Sequence, residues 1–189
     1  MSALIASVSA YTVLLTLLLA CGEHLSKPAA LATVLATHRV LPAPSTVAAA
    51  VIAAEGVLGA AGVVALLRGD GGRLLSAVLA GSAALFAMYA GYGLYVRSTG
   101  RTVPCGCSRV DVPMTGWVVA RASTLAGMAL VGSVLSGAVV PVGRAGTSLT
   151  IILLAAATFT TLLAHLPAAM RDPAPDQPPA PTERGGLPG

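Results

Sequence analysis

Charged side chains are scarce in this chain of 189 residues. They make up 10% of the sequence, whereas hydrophobic residues make up 56%, and an average soluble domain has about 25% charged residues. This composition excludes an ordinary soluble globular domain. The 11 basic residues are scattered over the loops and do not form a cluster. We therefore predict no nucleic-acid partner, because Arg residues at helix ends are expected as anchors at a membrane surface.

Long apolar runs are present instead. A helix needs about 20 apolar residues to cross the hydrocarbon core, where only a helix satisfies its own backbone hydrogen bonds. We predict an all-α fold, a polytopic transmembrane helical bundle that spans the cell membrane several times and has the lipid bilayer as its main partner. The segments that meet this length are 3–22, 44–67, 74–96, 117–140 and 147–166.

The remaining segments also carry structural signals. No Lys or Arg precedes Lys27, so the first apolar run lacks the basic region of a cleaved signal peptide and we expect it to be retained. The stretch "PAALATVLATHRVL" predicts a short amphipathic helix at the interface, and the small residues of "GVLGAAG" predict a helix-packing seam. The tail 168–189 is Pro-rich and is predicted to be disordered.

Cys105 and Cys107 stand one residue apart in "RTVPCGCSR", within the long loop between the third and fourth apolar segments. A disulfide across one intervening residue closes a small ring of restricted geometry, so it is expected to be strained and easily reduced. Arg101 and Arg109 lie close in sequence and would favour the thiolate. This pattern favours a thiol–disulfide exchange pair.

Two other interpretations of the thiols stay open. They would be idle, or they would join Cys21 and His24 or His38 in a metal site. A closed zinc site needs four ligands, usually in spaced pairs, and the chain has three Cys and three His in all, so we predict no metal. Cys21 itself would either resolve a disulfide or simply pack as a small apolar residue.

Glu55 and Arg121 interrupt two of the apolar segments. Charges inside a membrane helix are costly and are usually paired or face a cavity. Glu55 lies about 16 Å from Pro44 along its helix, at ~1.5 Å per residue, and Arg121 lies one turn into its own. Either the two form an ion pair that locks the bundle, or Glu55 carries the proton that accompanies thiol exchange or contacts a quinone head group. Both join Cys105 and Cys107 as candidate catalytic residues.

The loop "PCGCSR", the preceding "GLYVRSTGRTV" and the following "WVVARASTLAGMAL" together resemble the methylamine utilisation protein MauE family, a DoxX-like membrane family. Ser108 and Arg109 replace the family's Phe-Gly, and Lys27 is displaced by a residue or two. The resemblance covers about residues 14–138 and implies a four-helix core, to which the fifth helix and the tail are additions. The positions that match are Gly22, Pro28, Leu41, Pro42, Glu55, Gly100, Arg101, Pro104 to Cys107, Trp117 and Arg121.

The resemblance implies a redox-linked role. In that family the protein helps a periplasmic quinoprotein, methylamine dehydrogenase, to acquire its disulfides alongside a thioredoxin-like partner. For this chain it implies a thiol–disulfide relay or maturation factor with a thioredoxin-like extracytoplasmic partner. A quinone is a candidate cofactor through the hypothesis on Glu55, not through the resemblance. The alternative is a non-catalytic membrane scaffold, for which both cysteines would be dispensable. A transporter is disfavoured, because matching halves with Gly/Pro-interrupted helices are lacking in the sequence.

Two arguments disagree on which membrane face carries the thiol loop. Positive-inside counting makes the face with the long loops cytoplasmic, because it holds more basic residues than the other face. Disulfides, however, persist in oxidising compartments, and the resemblance points outward, so outward placement is our working expectation. The basic residues counted are Lys27, Arg39, Arg97, Arg101, Arg109, Arg171 and Arg184 on that face, with Arg68, Arg73 and Arg144 opposite.

Overall fold

The computed structural model describes residues 1–38, 40, 42–69, 72–99, 115–144 and 146–170, and within these ranges it contains helices and no strand. All of the helices except α2 are long and apolar enough to cross a membrane, which confirms the predicted all-α transmembrane bundle. The helices are α1 (Ser2–Ser26), α2 (Pro28–His38), α3 (Pro44–Arg68), α4 (Arg73–Ser98), α5 (Gly116–Val134) and α6 (Thr147–Ala169), with a 3₁₀ turn at Ser136–Ala138.

Helix α1 lies at the centre of the bundle, where it packs against α3, α5 and α6. Val13 and Leu17 of this helix are fully buried, whereas α6 leaves large apolar side chains such as Leu154 exposed. Helices α4 and α5 form the other closely packed pair. The apolar residues on the outside of the bundle therefore suit contact with lipid, and α1 supplies much of the interior.

Glycines of α3 allow α1 to approach closely. A Cβ atom added to Gly59 would lie 2.8 Å from Leu18 Cδ2 of α1, and one added to Gly62 would overlap Leu14. Helices in lipid associate through such close packing, because lipid tails give no hydrophobic drive for helices to meet. The seam predicted from "GVLGAAG" is thus confirmed.

Helix α5 ends at Val134, six residues before the end of the predicted apolar segment 117–140. The chain then makes the 3₁₀ turn, after which the Val140 amide donates to Ser7 Oγ at 2.9 Å. The Tyr11 hydroxyl donates to the Val140 carbonyl oxygen at 3.0 Å. Because two side chains of α1 satisfy this backbone, the chain can leave the helix while its residues remain apolar. Hydropathy alone does not show such a turn.

Helix α2 confirms the short helix predicted between the first two membrane segments. Leu35 and His38 are buried, Leu31 is half-buried, and these three residues are spaced at i, i+4 and i+7. The opposite face, including Thr33 and Thr37, is exposed. Helix α2 packs on α3 and more lightly on α1, so its inner face closes over the neighbouring transmembrane helices.

Candidate functional site

A cavity of about 280 Å³ lies between α1, α2, α3, α4 and α5. Its walls are mostly apolar, and each helix supplies residues about one turn apart, so one face of every helix contributes. The polar lining residues are few and come from different helices. The lining comprises Thr16, Ala20, His24, Leu31, Leu35, His38, Val47, Val51, Glu55, Phe86, Met88, Tyr89, Tyr92, Val118, Arg121, Ala122 and Leu125.

Glu55 is the most deeply buried charged residue of this cavity, with 2% of its surface exposed. The Tyr89 hydroxyl donates to Glu55 Oε1 at 2.9 Å. The second carboxylate oxygen, Oε2, lies 3.8 Å from His24 Nε2, a salt-bridge distance when the imidazole is protonated. Among the described residues Oε2 has no hydrogen-bond partner. One oxygen of a buried carboxylate is therefore held, and the other is free to accept a hydrogen bond.

The structure brings the two predicted membrane charges, Glu55 and Arg121, to the same cavity. Arg121 is half-buried in the second turn of α5. The two side chains do not form an ion pair within 4.0 Å, and the described basic partner of Glu55 is His24. The ion pair that would lock the bundle is therefore not formed, and both side chains face the cavity.

Sequence reasoning missed the role of Tyr89 and considered His24 only as a metal ligand. A tyrosine in an apolar helix is ordinary, and only its position across from α3 reveals the hydrogen bond to Glu55. His24 carried a weak signal. It follows Thr16 and Ala20 at eight and four residues, so the three share the face of α1 that lines the cavity.

A second polar pair lies in the same cavity. The His38 Nδ1 atom and the Tyr92 hydroxyl are 2.7 Å apart, and the two rings lie with centroids 5.7 Å apart. His38 is 2% exposed, so the contact connects the end of α2 with α4 in a buried place. The contact between His38 and Tyr92, which both line the cavity, therefore connects α2 with the transmembrane helices.

Cys21 packs as a small side chain between α1 and α3. Its thiol donates to the Ile52 carbonyl oxygen at 3.8 Å, and it is 8% exposed. A Cβ atom on Gly56 would lie 3.3 Å from its sulfur. Cys105 and Cys107 lie outside the described residues, as does most of the predicted disordered tail. Within the described ranges, no group of three His, Cys, Asp or Glu side chains is arranged to bind one metal ion.

The model of the family described as Methylamine utilisation protein MauE matches residues 1–135, which include every helix that lines the cavity and the Cys-Gly-Cys loop. The chain belongs to the MauE family. This MauE region ends next to the last residue of α5, and α6 lies beyond it. No curated protein and no solved structure matches this MauE-family chain.

Proposed function

We propose that this MauE-family chain is a multi-pass membrane component for thiol–disulfide exchange, with Cys105 and Cys107 as its redox pair. Its partner would be an extracytoplasmic thioredoxin-like protein, and the recipient implied by the family is a quinoprotein of the methylamine dehydrogenase type. The observation that carries the proposal is the family match over residues 1–135, because that region contains the Cys-Gly-Cys loop. The proposal puts this loop on the outer face of the cell membrane.

Each step of the exchange breaks one sulfur–sulfur bond and forms another. A partner thiolate attacks one sulfur of the Cys105–Cys107 disulfide, and the other sulfur leaves as a thiolate. A second partner thiolate then attacks the mixed disulfide, so the partner becomes oxidised and the loop pair becomes a dithiol. Reoxidation of this dithiol releases two electrons and two protons. A membrane quinone is the class of acceptor that takes both and becomes a quinol.

The described ends of the loop support a link between the thiols and the cavity. Thr99 follows α4 and Thr115 precedes α5, and both helices line the cavity. Tyr92 is about 9 Å along α4 from Ser98, at ~1.5 Å per residue. The thiol loop therefore connects two helices that both line the cavity, and Tyr92 of the cavity lies within two turns of the end of α4.

Glu55 is the group that we assign to the proton in this exchange. It sits near the middle of α3, where its free oxygen can receive a proton and pass it to His24 in the last turn of α1, 3.8 Å away. Arg121 lies in the same cavity about one turn from the loop end of α5 and would favour an anionic intermediate. The two residues thus support the redox pair without touching the partner.

Trapping of a mixed disulfide tests the exchange. The Cys105→Ser and Cys107→Ser variants, in lipid nanodiscs, would be incubated with a thioredoxin-fold protein that retains one reactive cysteine. At least one variant is expected to give a reducible covalent adduct, identified by mass spectrometry at the remaining loop cysteine. Cys21→Ser is the matched control and should behave as the unaltered chain. The scaffold alternative would be favoured by two results together. Neither variant would give an adduct, and the Cys105→Ser/Cys107→Ser double variant would restore maturation of the partner in cells that lack the unaltered chain.

Labelling of intact cells with a membrane-impermeant maleimide tests the membrane face. Labelling of Cys105 and Cys107 only after an impermeant reductant is added would support an exposed disulfide on the outer face. Labelling that requires the membrane to be opened would support the cytoplasmic face predicted by positive-inside counting, and would count against exchange with an extracytoplasmic partner. Labelling without reductant would count against a resting disulfide.

A further inference from the structure

We propose that the cavity binds the head group of a membrane quinol, with Glu55 Oε2 as the acceptor of a quinol hydroxyl hydrogen. The inference rests on the proposed function for the source of the electrons. Its structural support is separate, because it comes from the cavity and not from the thiol loop. The ligand class follows from three properties of the cavity: its unpartnered oxygen, its lining and its depth.

The unpartnered oxygen indicates a hydrogen-bond donor as the ligand. Glu55 is 2% exposed, and its Oε2 has no hydrogen-bond partner among the described residues, although Oε1 accepts from Tyr89. A buried acceptor without a partner is unfavourable and is rare in folded proteins. His24 and Glu55 both line the cavity, so a donor in this space lies next to a carboxylate that lacks its second hydrogen bond.

The lining indicates an apolar ring. The volume of about 280 Å³ is near the lower limit of small-molecule pockets, which are mostly apolar with a few converging polar groups. Phe86 and Tyr89 present aromatic rings in an edge-to-face arrangement, with centroids 6.0 Å apart. In the same cavity Arg121 provides hydrogen-bond donors and Glu55 provides an acceptor. A quinol hydroxyl both donates and accepts hydrogen bonds, so a quinol is compatible with both side chains.

The depth indicates a ligand that comes from the lipid. Glu55 lies about 16 Å along α3 from Pro44 at ~1.5 Å per residue, and the hydrocarbon core is about 30 Å thick. His24, 3.8 Å from the free oxygen, lies two residues before the end of α1, so the site lies in the half of the bundle that α2 covers, within helices that span the bilayer. A quinol head group reaches this level from the hydrocarbon, whereas a charged phospholipid head group stays with its phosphate at the surface.

The single tryptophan of the chain gives a direct binding signal. Trp117 is the second residue of α5 and precedes the cavity-lining Val118, and quinones and quinols quench indole fluorescence. Titration of nanodiscs with a short-chain benzoquinol, and separately with its quinone, is expected to give saturable quenching. Glu55→Gln should weaken quinol binding about tenfold, from the lost hydrogen bond to a charged acceptor. Quinone binding should change by less than about twofold, because a quinone has no hydroxyl hydrogen to donate.

Matched variants on one helix separate cavity binding from dissolution in lipid. Ala122→Phe fills the cavity and is expected to abolish saturable quenching, whereas Ser123→Phe adds the same ring at an exposed position and should leave it unchanged. Ala20→Leu is a second filling variant if Ala122→Phe does not fold. Equal quenching in the filled and unfilled forms would overturn the inference, as would equal weakening of quinol and quinone binding by Glu55→Gln.

The failure of this inference can be told from the failure of the proposed function. A Cys105→Ser/Cys107→Ser double variant should still show saturable quinol quenching, because neither sulfur is part of the binding site. If that variant binds quinol while no exchange activity exists in the unaltered chain, the site stands and the exchange function is wrong. If exchange activity is present but saturable quenching is absent from the unaltered chain, the quinol site is wrong.

Discussion

Removal of the Tyr89 hydroxyl tests how firmly Glu55 is held in the membrane. The hydroxyl donates to Glu55 Oε1 at 2.9 Å, and Glu55 is 2% exposed. Hydrogen bonds to charged groups contribute about 1.5–3 kcal/mol in soluble proteins, whereas hydrogen bonds between membrane helices average about 0.6 kcal/mol and reach about 1.7. Short geometry and a buried acceptor put this bond in the upper part of the membrane range. We expect Tyr89 and Glu55 to be coupled by about 1–1.5 kcal/mol.

A double-mutant cycle measures this coupling. The free energy of unfolding of the unaltered chain, Tyr89→Phe, Glu55→Leu and the double variant would be determined by titrating detergent micelles with SDS. Tyr89→Phe should cost more in the unaltered background than in the Glu55→Leu background. Tyr95→Phe is the matched control, because Tyr95 lies on the same helix and is 58% exposed. Its coupling to Glu55→Leu should be close to zero.

A very small coupling energy would contradict the hydrogen bond between Tyr89 and Glu55. A coupling below about 0.3 kcal/mol is within the error with which independent sites add. Such a value would mean that Tyr89 does not hold the carboxylate. The assignment of Glu55 as a fixed acceptor in the cavity would then lose its geometric basis, whatever the thiols do.

Two further predictions concern packing around the cavity. Gly59→Ala should destabilise the chain by about 1–3 kcal/mol in the same assay, through overpacking, because the new Cβ would lie 2.8 Å from Leu18 Cδ2; Gly91→Ala, with nothing within 4 Å of its Cβ, should not, and equal losses would contradict the seam. Tyr92→Phe removes the hydroxyl that lies 2.7 Å from His38 Nδ1, so amide hydrogen exchange in α2 should become faster while α6 is unchanged. Unchanged exchange in α2 would show that other contacts hold that helix.

Much of the fold was predictable because a membrane leaves few options. Backbone groups in hydrocarbon must bond within their own helix, so the predicted segments 44–67 and 74–96 reappear as α3 and α4 with small changes at their ends. The fourth segment was predicted too long. Its apolar residues continue to Val140, but Ser7 and Tyr11 of α1 bind the backbone there, and such long-range contacts leave no mark in a local window.

The candidate site was predictable only in part. Glu55 and Arg121 were recognisable because a charge in an apolar segment is expensive and needs a reason. Their environment was not, since Tyr89 is 34 residues from Glu55 in sequence and looks like any aromatic residue in a helix. The Cys105 and Cys107 pair was recognised from sequence alone and remains a prediction, because the described residues do not include it.

The sequence by itself determined that this chain is a helical membrane protein of the MauE family, with a Cys-Gly-Cys loop and two charges within its membrane segments. Composition and segment length suffice for the membrane helices, because hydrocarbon acts on each helix separately, whereas the family follows from sequence motifs and from the family match over residues 1–135. Only the tertiary structure decided that His24 and Tyr89 flank Glu55, that Arg121 faces the same cavity without pairing with it, and that α2 closes over that cavity. Those outcomes depend on how helices turn about their axes when they pack, and side chains from several helices fix that rotation together.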